Sequence, residues 1–353
     1  MVSIKDVAKR AEVAISTVSK VLNNYPNVSE GTKKKVRQAI EELNFVPNTV
    51  AAALSSKHNF RIALLINTIT QTKAIDEIDM QYLSGAIHKA KELNLDVVPI
   101  FFSMIEEKSI AEIIAYFQSQ SITGIIVYGL SKDDKVLHKL IERQIFKMVL
   151  IDAPLVNSAT SAVWVNQKQA QYDVAKKTIT ENMEVGHSMA EELSMEKGHS
   201  IVEELSTSKR ILYIAGKKNG YVTEERIKGM KQLAQELNLQ LMIQWGEFSE
   251  LQARQITFAH AHSCDVVICA SDLMAIGAMK ALMEMDIFRP VCGFDGITLM
   301  GYVGKQMNTI RQSFSAISAR AVEELWLLMK DQEGREVILP HTIVRLHYED
   351  IIC

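Results

Sequence analysis

The chain lacks most of the features that mark secreted, membrane or metal-binding proteins. It has four cysteines in 353 residues, and their spacing is not that of metal ligands. No apolar run approaches the roughly 20 residues of a membrane-spanning helix, and the N-terminus has the pattern of a folded motif instead of a signal peptide. Cys264 and Cys269 stand at the two ends of one predicted buried strand, so we expect core thiols in a reducing cytoplasm.

Sequence motifs of catalysis are lacking as well. The chain contains no G-x-S-x-G, no phosphate-binding loop and no dinucleotide fingerprint, and the acidic residues at predicted strand ends have no adjacent histidine. We therefore expect neither an enzyme nor a cofactor. With 48% hydrophobic residues, the chain is long enough to bury a large core and to form more than one domain.

The N-terminal segment has the pattern of a helix-turn-helix unit. Ile4–Ala11 and Ile15–Asn23 are short amphipathic stretches separated by three residues, and neither is long enough to form a stable helix alone. A third helix is predicted to begin after Ser29, with an inward stripe of Val36, Ile40 and Leu43. In such a unit the second helix lies in the major groove of duplex DNA. The alternative is a set of three helices that only pack a core.

Three stretches of this segment resemble the opening of the lactose-repressor (galactose-repressor, LacI/GalR) family of bacterial transcription regulators. They are Ile4–Ala8 (IKDVA), Thr17–Asn23 (TVSKVLN) and Asn44–Asn48 (NFVPN). The resemblance implies a sequence-specific DNA-binding regulator, with repression of carbohydrate-use genes as the expected outcome. It also implies a helix-turn-helix domain at 1–48, a hinge helix or linker at 49–58, and a two-lobed effector-binding and dimerisation domain at 59–353.

The resemblance assigns roles to individual residues of the head. The positions that read base edges match Ile15, Ser16 and Lys20, whose side chains suit a thymine methyl group, several bases, and guanine, respectively. Side chains placed for phosphate contacts are Ser3, Thr17, Asn23, Ser29 and Thr32. Leu54 matches the residue that wedges into the minor groove when two hinge helices pair; a plain flexible linker is the alternative. These roles imply a homodimer on a near-palindromic operator.

The body alternates predicted strands with amphipathic helices. Strands are predicted at Arg61–Asn67, Asp96–Phe102, Gly124–Gly129, Met148–Ala153, Arg210–Gly216, Leu241–Gly246, Asp265–Ser271 and Val291–Asp295, and helices fall between them, for example at Gln81–Leu93, Glu224–Leu237 and Asp272–Met285. This order predicts an α/β body of two lobes, with parallel sheets covered by helices on both faces. It resembles the periplasmic sugar-binding-protein fold. The N-lobe is expected at about 59–155 plus a segment near 290–315, and the C-lobe at about 160–288 plus the C-terminal segment.

Candidate effector-binding residues follow predicted strands, where open α/β sheets bind ligands. Asp152, Ser271, Asp272 and Asp295 stand at strand ends, and Arg226 begins a helix after a glycine-containing loop. Carboxylates and a guanidinium suit hydroxyl groups. The resemblance implies that the positions of Asp152, Arg226, Ser271 and Asp295 contact effector hydroxyls and that Phe248 stacks on a sugar ring. Two alternatives stay open: Asp272 only caps its helix, or Phe248 belongs to the core.

Charge is distributed unevenly along the chain. Residues 1–60 hold nine Lys/Arg against five Asp/Glu, a balance of +4, whereas the whole chain is at −3, so the remainder carries −7. A basic head on an acidic body suits a protein that approaches phosphates with one end only.

Two places depart from the family's usual pattern. Gly186–Leu193 recurs as Gly198–Leu205, and we predict a surface helical excursion there; a metal site at His187 and His199 is the alternative, without a cysteine or histidine companion nearby. The stretch Ile287–Val291 is a few residues shorter than the family's usual approach to Asp295, and such a shortening is expected to displace Asp295 or to strain its strand.

The expected effector is a sugar. A purine or a phosphorylated metabolite acting as corepressor on the same fold is the alternative, and a sugar-binding protein without DNA affinity is the alternative from another class. Because no heptad extension follows Cys353, a dimer is expected in place of a tetramer.

Overall fold

The computed structural model describes residues 4–22, 28–43, 60–67, 76–197, 209–303 and 307–347, with only the backbone at 76 and over 183–197. Internal contacts divide the chain into two compact units, Met1–Asn59 and Phe60–Cys353. The first unit is called the head below, and the second the body.

The head contains α1 (Ile4–Ala11), α2 (Ile15–Leu22) and α3 (Glu30–Glu42). Their apolar faces form one small core of Val7, Ala8, Ala11, Val18, Val21, Val36 and Ala39. Because each helix is short, this shared core supplies the stability that none of the helices has alone.

The strands of the body are β1 (Arg61–Ile66), β2 (Asp96–Phe101), β3 (Ile122–Tyr128), β4 (Lys147–Ile151), β5 (Thr160–Val165), β6 (Arg210–Ala215), β7 (Gln240–Trp245), β8 (Val266–Cys269), β9 (Val291–Cys292), β10 (Thr309–Arg311), β11 (Glu336–Leu339) and β12 (Thr342–Val344). Its helices are α4 (Asp76–Glu92), α5 (Ile110–Ser119), α6 (Lys135–Arg143), α7 (Gln167–Lys197), α8 (Tyr221–Glu236), α9 (Glu250–His260), α10 (Asp272–Glu284), α11 (Leu299–Tyr302) and α12 (Phe314–Met329).

The N-lobe is built on a sheet of order β11-β5-β4-β3-β1-β2, and all of its described pairings are parallel. Successive residues of β1 point to opposite faces: Ile62 and Leu64 enter one core, and Ala63 and Leu65 enter the other. Burial on both faces requires the continuous apolar strands that the sequence shows.

The C-lobe has a parallel sheet of order β7-β6-β8-β9. Helices α7 and α8 pack against each other, as do α9 and α10. Strands β10 and β12 form a separate antiparallel ribbon. The chain passes between the lobes after β5, along β10 and after β11.

These crossings correct the predicted lobe boundaries. Thr160–Val165 was assigned to the C-lobe, but it pairs with β4 in the N-lobe sheet. Val291–Cys292 was placed in the N-lobe segment, but it pairs with β8 in the C-lobe sheet. The second segment of the N-lobe is α12 followed by β11, because α12 packs on α4 and on β4. The predicted α/β class with parallel sheets is confirmed.

In the ranges described, every helix is too short or too polar to cross a lipid bilayer. The first copy of the duplicated segment lies within the backbone of α7, whereas the second copy, Gly198–Leu205, lies outside the described residues.

Candidate DNA-reading surface and ligand cavity

The turn between α1 and α2 is held by backbone contacts. Val13 N donates to Ala8 O at 3.0 Å, and Thr17 N donates to Ala14 O at 2.9 Å. Glu12 takes a positive φ of 56°, which ends α1 abruptly and lets α2 begin at Ile15 in a new direction. Val18 and Val21 then face the core, so the opposite side of α2 faces solvent.

The three candidate base-reading side chains lie on that exposed side. Ser16 and Lys20 are exposed, and Ile15 has 45% of its surface exposed although it is a large aliphatic residue. Thr17 is half-buried beside them. Their contacts with bases and phosphates stay predictions.

Ser29 caps α3, as its sequence position predicts. Its side chain accepts a hydrogen bond from Thr32 N at 3.3 Å, and the two hydroxyl oxygens are 2.8 Å apart. The N-terminal N–H groups of a helix favour an anion, so both residues lie where a phosphate contact is expected. The predicted DNA contacts Ser3, Asn23 and Leu54 lie outside the described residues.

In the body, a cavity of about 250 Å³ lies between the carboxyl ends of the strands of the two lobes. Its lining includes five of the six predicted effector-binding residues, namely Asp152, Arg226, Phe248, Ser271 and Asp295. Asp152, Phe248, Ser271 and Asp295 come from a strand end or a following loop, and Arg226 comes from the helix after β6, because parallel strands of a lobe all deliver their carboxyl ends to one edge.

Arg226 on α8 is the best anchored of these residues, with only 4% of its surface exposed. Its Nε donates to Gln167 Oε1 at 2.9 Å, and its Nη1 donates to the carbonyl oxygen of Ala270. The guanidinium carbon lies 3.6 Å from the ring centroid of Phe294, and Nη2 is 3.8 Å from a carboxylate oxygen of Asp295. These contacts hold a planar cation in one orientation at the cavity wall.

Gln167, which the sequence reasoning missed, connects the residues of this wall. Its Oε1 accepts from Arg226, while its Nε2 donates to Asp152 Oδ1 at 3.0 Å and to Gln312 Oε1 at 3.4 Å. Gln312 in turn donates to Asp295 at 3.3 Å. The amide therefore joins a carboxylate from the N-lobe to a guanidinium from the C-lobe. A glutamine at a helix start gives no sequence signal for such a role.

Asp152 and Asp295 both occupy strained backbone positions at the cavity. Their φ values are 60° and 126°, respectively, a region that non-glycine residues rarely adopt and that concentrates at functional sites. Burial raises the pKa of the Asp152 carboxyl, while Arg226 and hydrogen bonds from Gln167 and Tyr82 oppose the rise. Burial likewise raises the pKa of Asp295, with Arg226 opposing and the nearby Asp272 and Asp152 adding to the rise.

Asp272 does not line the cavity, which corrects the prediction that it binds effector. Its side chain is fully buried and accepts hydrogen bonds from Gly296 N at 2.7 Å, Ile297 N at 2.9 Å and Thr309 Oγ1 at 2.5 Å. Burial raises the pKa of this carboxyl, against those hydrogen bonds. Asp272 therefore holds the turn that follows Asp295 and ties it to β10.

Ser271 is the residue that caps α10, and Asp272 is not. The Ser271 hydroxyl accepts from Met274 N at 3.3 Å, and the residue also lines the cavity. Phe248 lines the cavity too, at a φ of 59°, and packs in part against the core. A Cβ on Gly216 would lie 2.1 Å from the Phe248 ring. The ring can therefore pack against the chain just after β6 only because residue 216 is glycine.

Aromatic side chains from the N-lobe complete the cavity wall. The rings of Tyr82 and Tyr128 are 4.9 Å apart, and those of Tyr82 and Phe314 are 5.2 Å apart. The Tyr82 hydroxyl donates to Asp152 at 3.4 Å. Aromatic faces of this kind bind apolar faces of a ring-shaped ligand, while the hydroxyl and carboxyl groups bind its polar edge.

The charge of the lining is unbalanced. Acidic side chains outnumber basic ones by four to two, namely Asp79, Asp152, Glu247 and Asp295 against Lys217 and Arg226. The formal charge is −2 with every carboxyl ionised and −1 when Asp295, whose pKa is raised by burial, keeps its proton. An anionic ligand would add to this unbalanced negative charge, whereas a neutral ligand would not.

Besides the Gln167–Asp152 hydrogen bond, the described residues of the two lobes touch each other at two further places beside the cavity. Ser131 and Gly220 form an antiparallel bridge, next to an ion pair between Lys132 and Glu224. On another side Glu77 accepts from Thr298 N at 3.0 Å and from its hydroxyl at 2.5 Å. A change in the angle between the lobes would have to break these contacts.

Cys264, Cys269 and Cys292 are free and buried. Over the residues that the structure describes, His, Cys, Asp and Glu side chains form no cluster suited to a metal ion.

Comparison with known proteins finds a family match for the head and relatives that align with nearly the whole chain. Residues 3–48 match the family model for bacterial regulatory proteins of the lacI family. The chain is 25% identical over 358 residues to the HTH-type transcriptional repressor PurR of Vibrio vulnificus (strain CMCP6), with 98% of each chain covered. It is 26% identical over 351 residues to the probable HTH-type transcriptional repressor ExuR of Bacillus subtilis (strain 168), with 97% of this chain and 96% of the relative covered.

Solved structures share the fold over nearly the whole chain. The lac repressor dimer bound to operator and the anti-inducer ONPF has a TM-score of 0.75 at 21% identity, with 98% of each chain covered. The complex of the transcriptional regulator CelR with cellobiose has a TM-score of 0.65 at 21% identity, with 98% of this chain and 99% of that chain covered.

Proposed function

Since the chain belongs to the lacI family of bacterial regulatory proteins, we propose that it is a homodimeric repressor of transcription whose affinity for a near-palindromic operator is set by a small ligand between the lobes. The observation that carries the proposal is the family match over a helix-turn-helix whose second helix leaves Ile15, Ser16 and Lys20 facing solvent. Such a helix binds in the major groove of DNA with these side chains against base edges.

The ligand is a neutral polyhydroxy compound, a sugar. The excess of acidic over basic side chains in the lining disfavours phosphorylated metabolites, while Arg226 and the carboxyl groups of Asp152 and Asp295 donate to and accept from hydroxyl groups in fixed directions. Phe248 supports the face of the sugar ring. A purine is the second candidate, because the wall of Tyr82, Tyr128 and Phe314 also suits a flat aromatic ring.

Exposed apolar side chains on both lobes support a dimer. On the N-lobe Met80 and Ile87 of α4 are 61% and 51% exposed, beside Met104 at 48%. On the C-lobe Leu251 of α9 and Met283 of α10 are 58% and 59% exposed. Residues of this type on adjacent helices mark an interface between protein copies, and a two-fold dimer matches two heads to a palindrome.

In this mechanism the ligand acts through the angle between the lobes. A ligand that binds Asp152 of the N-lobe and Arg226 of the C-lobe favours one angle, and that angle decides whether the two heads of a dimer reach their half-sites together. A coupling free energy of about 1–3 kcal/mol would change operator affinity by about 5- to 150-fold.

Selection of genomic DNA fragments by the purified full-length chain tests the function. The expected result at physiological ionic strength is enrichment of a few fragments with a shared palindrome, and a change in that enrichment when one class among sugars, sugar phosphates and purines is added. Equal retention of all fragments and of random competitor DNA, with and without these compounds, would refute the proposal.

Matched arginine variants separate the ligand site from the DNA site. Arg226→Met should abolish the response to the active compound, because the polar wall loses its only buried cation among the described residues, while specific DNA binding without the compound remains. Arg143→Met, at an exposed position of α6, should respond like the unmodified chain. An unchanged response of Arg226→Met would contradict the assigned cavity but not the DNA-binding function.

A further inference from the structure

A second cavity, of about 480 Å³, lies within the C-lobe and shares no lining residue with the first. It is bounded by α7, the last turns of α10, and residues 287–291 and 307–308. We propose that this cavity is a second small-molecule site, for a compound with an apolar body and a single carboxylate group. This proposal does not depend on what the interlobe cavity binds.

The inner wall of the second cavity is apolar. Met279, Leu282 and Met307 line it and are 8%, 3% and 6% exposed, and Val291 lies beside them at 8%. Methionine side chains are flexible and polarizable, so they adapt to ligands of irregular shape. Transfer of an aliphatic chain or an aromatic ring from water to this wall is favourable, and the free energy falls in proportion to the apolar area that is buried.

The opposite wall carries a cation, Arg289, that forms no ion pair with a carboxylate of the described residues. Arg289 Nε donates to Cys264 O at 2.7 Å, and its Nη1 donates to Phe288 O at 2.8 Å. Both acceptors are neutral, and no described carboxylate lies within 4 Å of this guanidinium. The two carbonyl groups therefore fix its orientation. The nearby Asp265 carboxylate interacts with the charge of Arg289 but is ion-paired with Arg210, so the remaining nitrogen of Arg289 can donate to a ligand.

The other arginine of the lining is different because its charge is already neutralised. Arg345 forms an ion pair with Glu181 and donates from Nε to Asn308 Oδ1 at 2.8 Å. The described lining thus has a formal charge of +1, from Arg289 and Arg345 against Glu181. This sign is opposite to that of the interlobe cavity, so the two cavities select different ligands: a monoanion here and a neutral compound there.

Calorimetric titration of the full-length chain with three eight-carbon compounds tests the proposal. Octanoate, octan-1-ol and octylamine share one apolar chain and differ in the charge of the head group. We expect octanoate to bind with one site per chain and at least tenfold more tightly than octan-1-ol, because a charge-assisted hydrogen bond is stronger than a neutral one. Octylamine should not bind measurably.

Variants of the two walls locate the binding. Arg289→Gln should lower the affinity for octanoate by tenfold or more and leave the affinity for octan-1-ol unchanged. Arg289→Lys should retain most of the affinity for octanoate. Leu282→Trp, which fills the cavity, should abolish binding of both compounds. Circular dichroism melts establish that each variant is folded. Octanoate binding that survives both Arg289→Gln and Leu282→Trp, equal binding of octylamine, or no saturable binding of octanoate would each overturn the proposal.

Discussion

One buried and two half-buried carboxyl groups lie around Arg226, which is the only buried cation among the described residues. Asp152 and Asp295 line the interlobe cavity, and Asp272 lies directly behind it. One guanidinium cannot neutralise three carboxylates, and burial penalises each uncompensated charge. The folded protein therefore favours a proton on at least one of these groups at a pH where the unfolded chain has lost it.

This arrangement predicts a stability that falls as pH rises. The pKa of Asp295 is raised in the folded state. Its contribution to the free energy of unfolding is therefore fully present below the unfolded pKa of about 4, and it is lost as pH increases toward the raised value. Asp295→Asn should remove this contribution and so flatten the dependence of the free energy of unfolding on pH. The total change removed is about 1.4 kcal/mol for each unit by which the pKa is raised. Urea denaturation midpoints measured from pH 5 to pH 8 give the slope.

Asp265→Asn is the matched control for that prediction. Hydrogen bonds from Arg210 hold the pKa of Asp265 below its usual range against the opposing effect of burial, so its contribution is present above the unfolded pKa and is lost as pH falls through the lowered value. This variant should change stability little between pH 5 and pH 8. A slope that is as steep in Asp295→Asn as in the unmodified chain would contradict the role given to Asp295.

Two side chains of the head should affect DNA binding in different ways. Lys20 is exposed on α2, and its proposed role is to donate to a guanine edge, so Lys20→Ala should change the order of preference among operator variants. Thr32 lies at the N-terminus of α3, so Thr32→Ala should weaken all variants about equally. Binding to a panel of single-base operator variants measures both, and a uniform loss for Lys20→Ala would refute its assignment to base reading.

The sequence predicted the residues of the cavity better than their connections. Asp152, Ser271 and Asp295 could be predicted because they directly follow strands, and strand ends converge. Asp272 also follows a strand, so the sequence assigns it to the cavity as well. Because it is the first residue of α10, one position after Ser271, its side chain points toward residues 296–297 and away from the cavity. Gln167 is joined to Arg226 only by the fold, so no local pattern could reveal it.

At the scale of elements, close helix contacts depend on glycine. A Cβ on Gly85 of α4 would lie 2.1 Å from Ser315 O at the start of α12, so any larger residue must push the two helices apart. Gly85→Ala should lower the stability of the body by about 1–3 kcal/mol, even though alanine is the better helix former. Thermal unfolding followed by circular dichroism provides the measurement.

Gly31→Ala tests the opposite case in α3. A Cβ at Gly31 would meet no atom within 4 Å, and the residue is exposed in a helix. The substitution should stabilise the head by about 0.5–1 kcal/mol, through the reduced backbone freedom of the unfolded chain. Destabilisation by this variant, or stabilisation by Gly85→Ala, would show that the described packing is wrong.

Local elements could be predicted more reliably than their partners. The expected bounds of the first helix, Ile4–Ala11, match those of α1, because caps and apolar spacing are local signals. The assignment of β5 and β9 to lobes was wrong, since an apolar strand carries no mark of the sheet that it joins. Pairing is decided by contacts between residues far apart in the chain.

For the whole molecule, the exposed apolar residues predict that a single charge disrupts the dimer. Ile87→Asp places a carboxylate among the exposed apolar side chains of α4, which include Met80. A dimer formed through this helix would bury that carboxylate without a partner. Sedimentation equilibrium should show a dimer dissociation constant raised by about tenfold or more, with a parallel loss of operator affinity because two linked heads bind more tightly than one.

Val136→Asp is the control for surface charge alone. Val136 lies on α6 and is 36% exposed, but it belongs to the other side of the N-lobe sheet, whose core differs from that under α4. This variant should remain as dimeric as the unmodified chain. Equal dissociation of both variants, or of neither, would argue against α4 as the interface.

The ribbon of β10 and β12 has a cavity at each end. Asn308 lines the second cavity, while Gln312 lines the first, and the backbone between them is joined to the approach to Asp295 through Gly293 N to Asn308 O and Asp295 N to Ile310 O, both 3.0 Å. A compound that displaces one end of so short a strand shifts the other end too. If the two proposed compounds bind, thermodynamic reciprocity requires that each alter the affinity for the other by the same factor, so that a cell would adjust its response to one nutrient according to the supply of another.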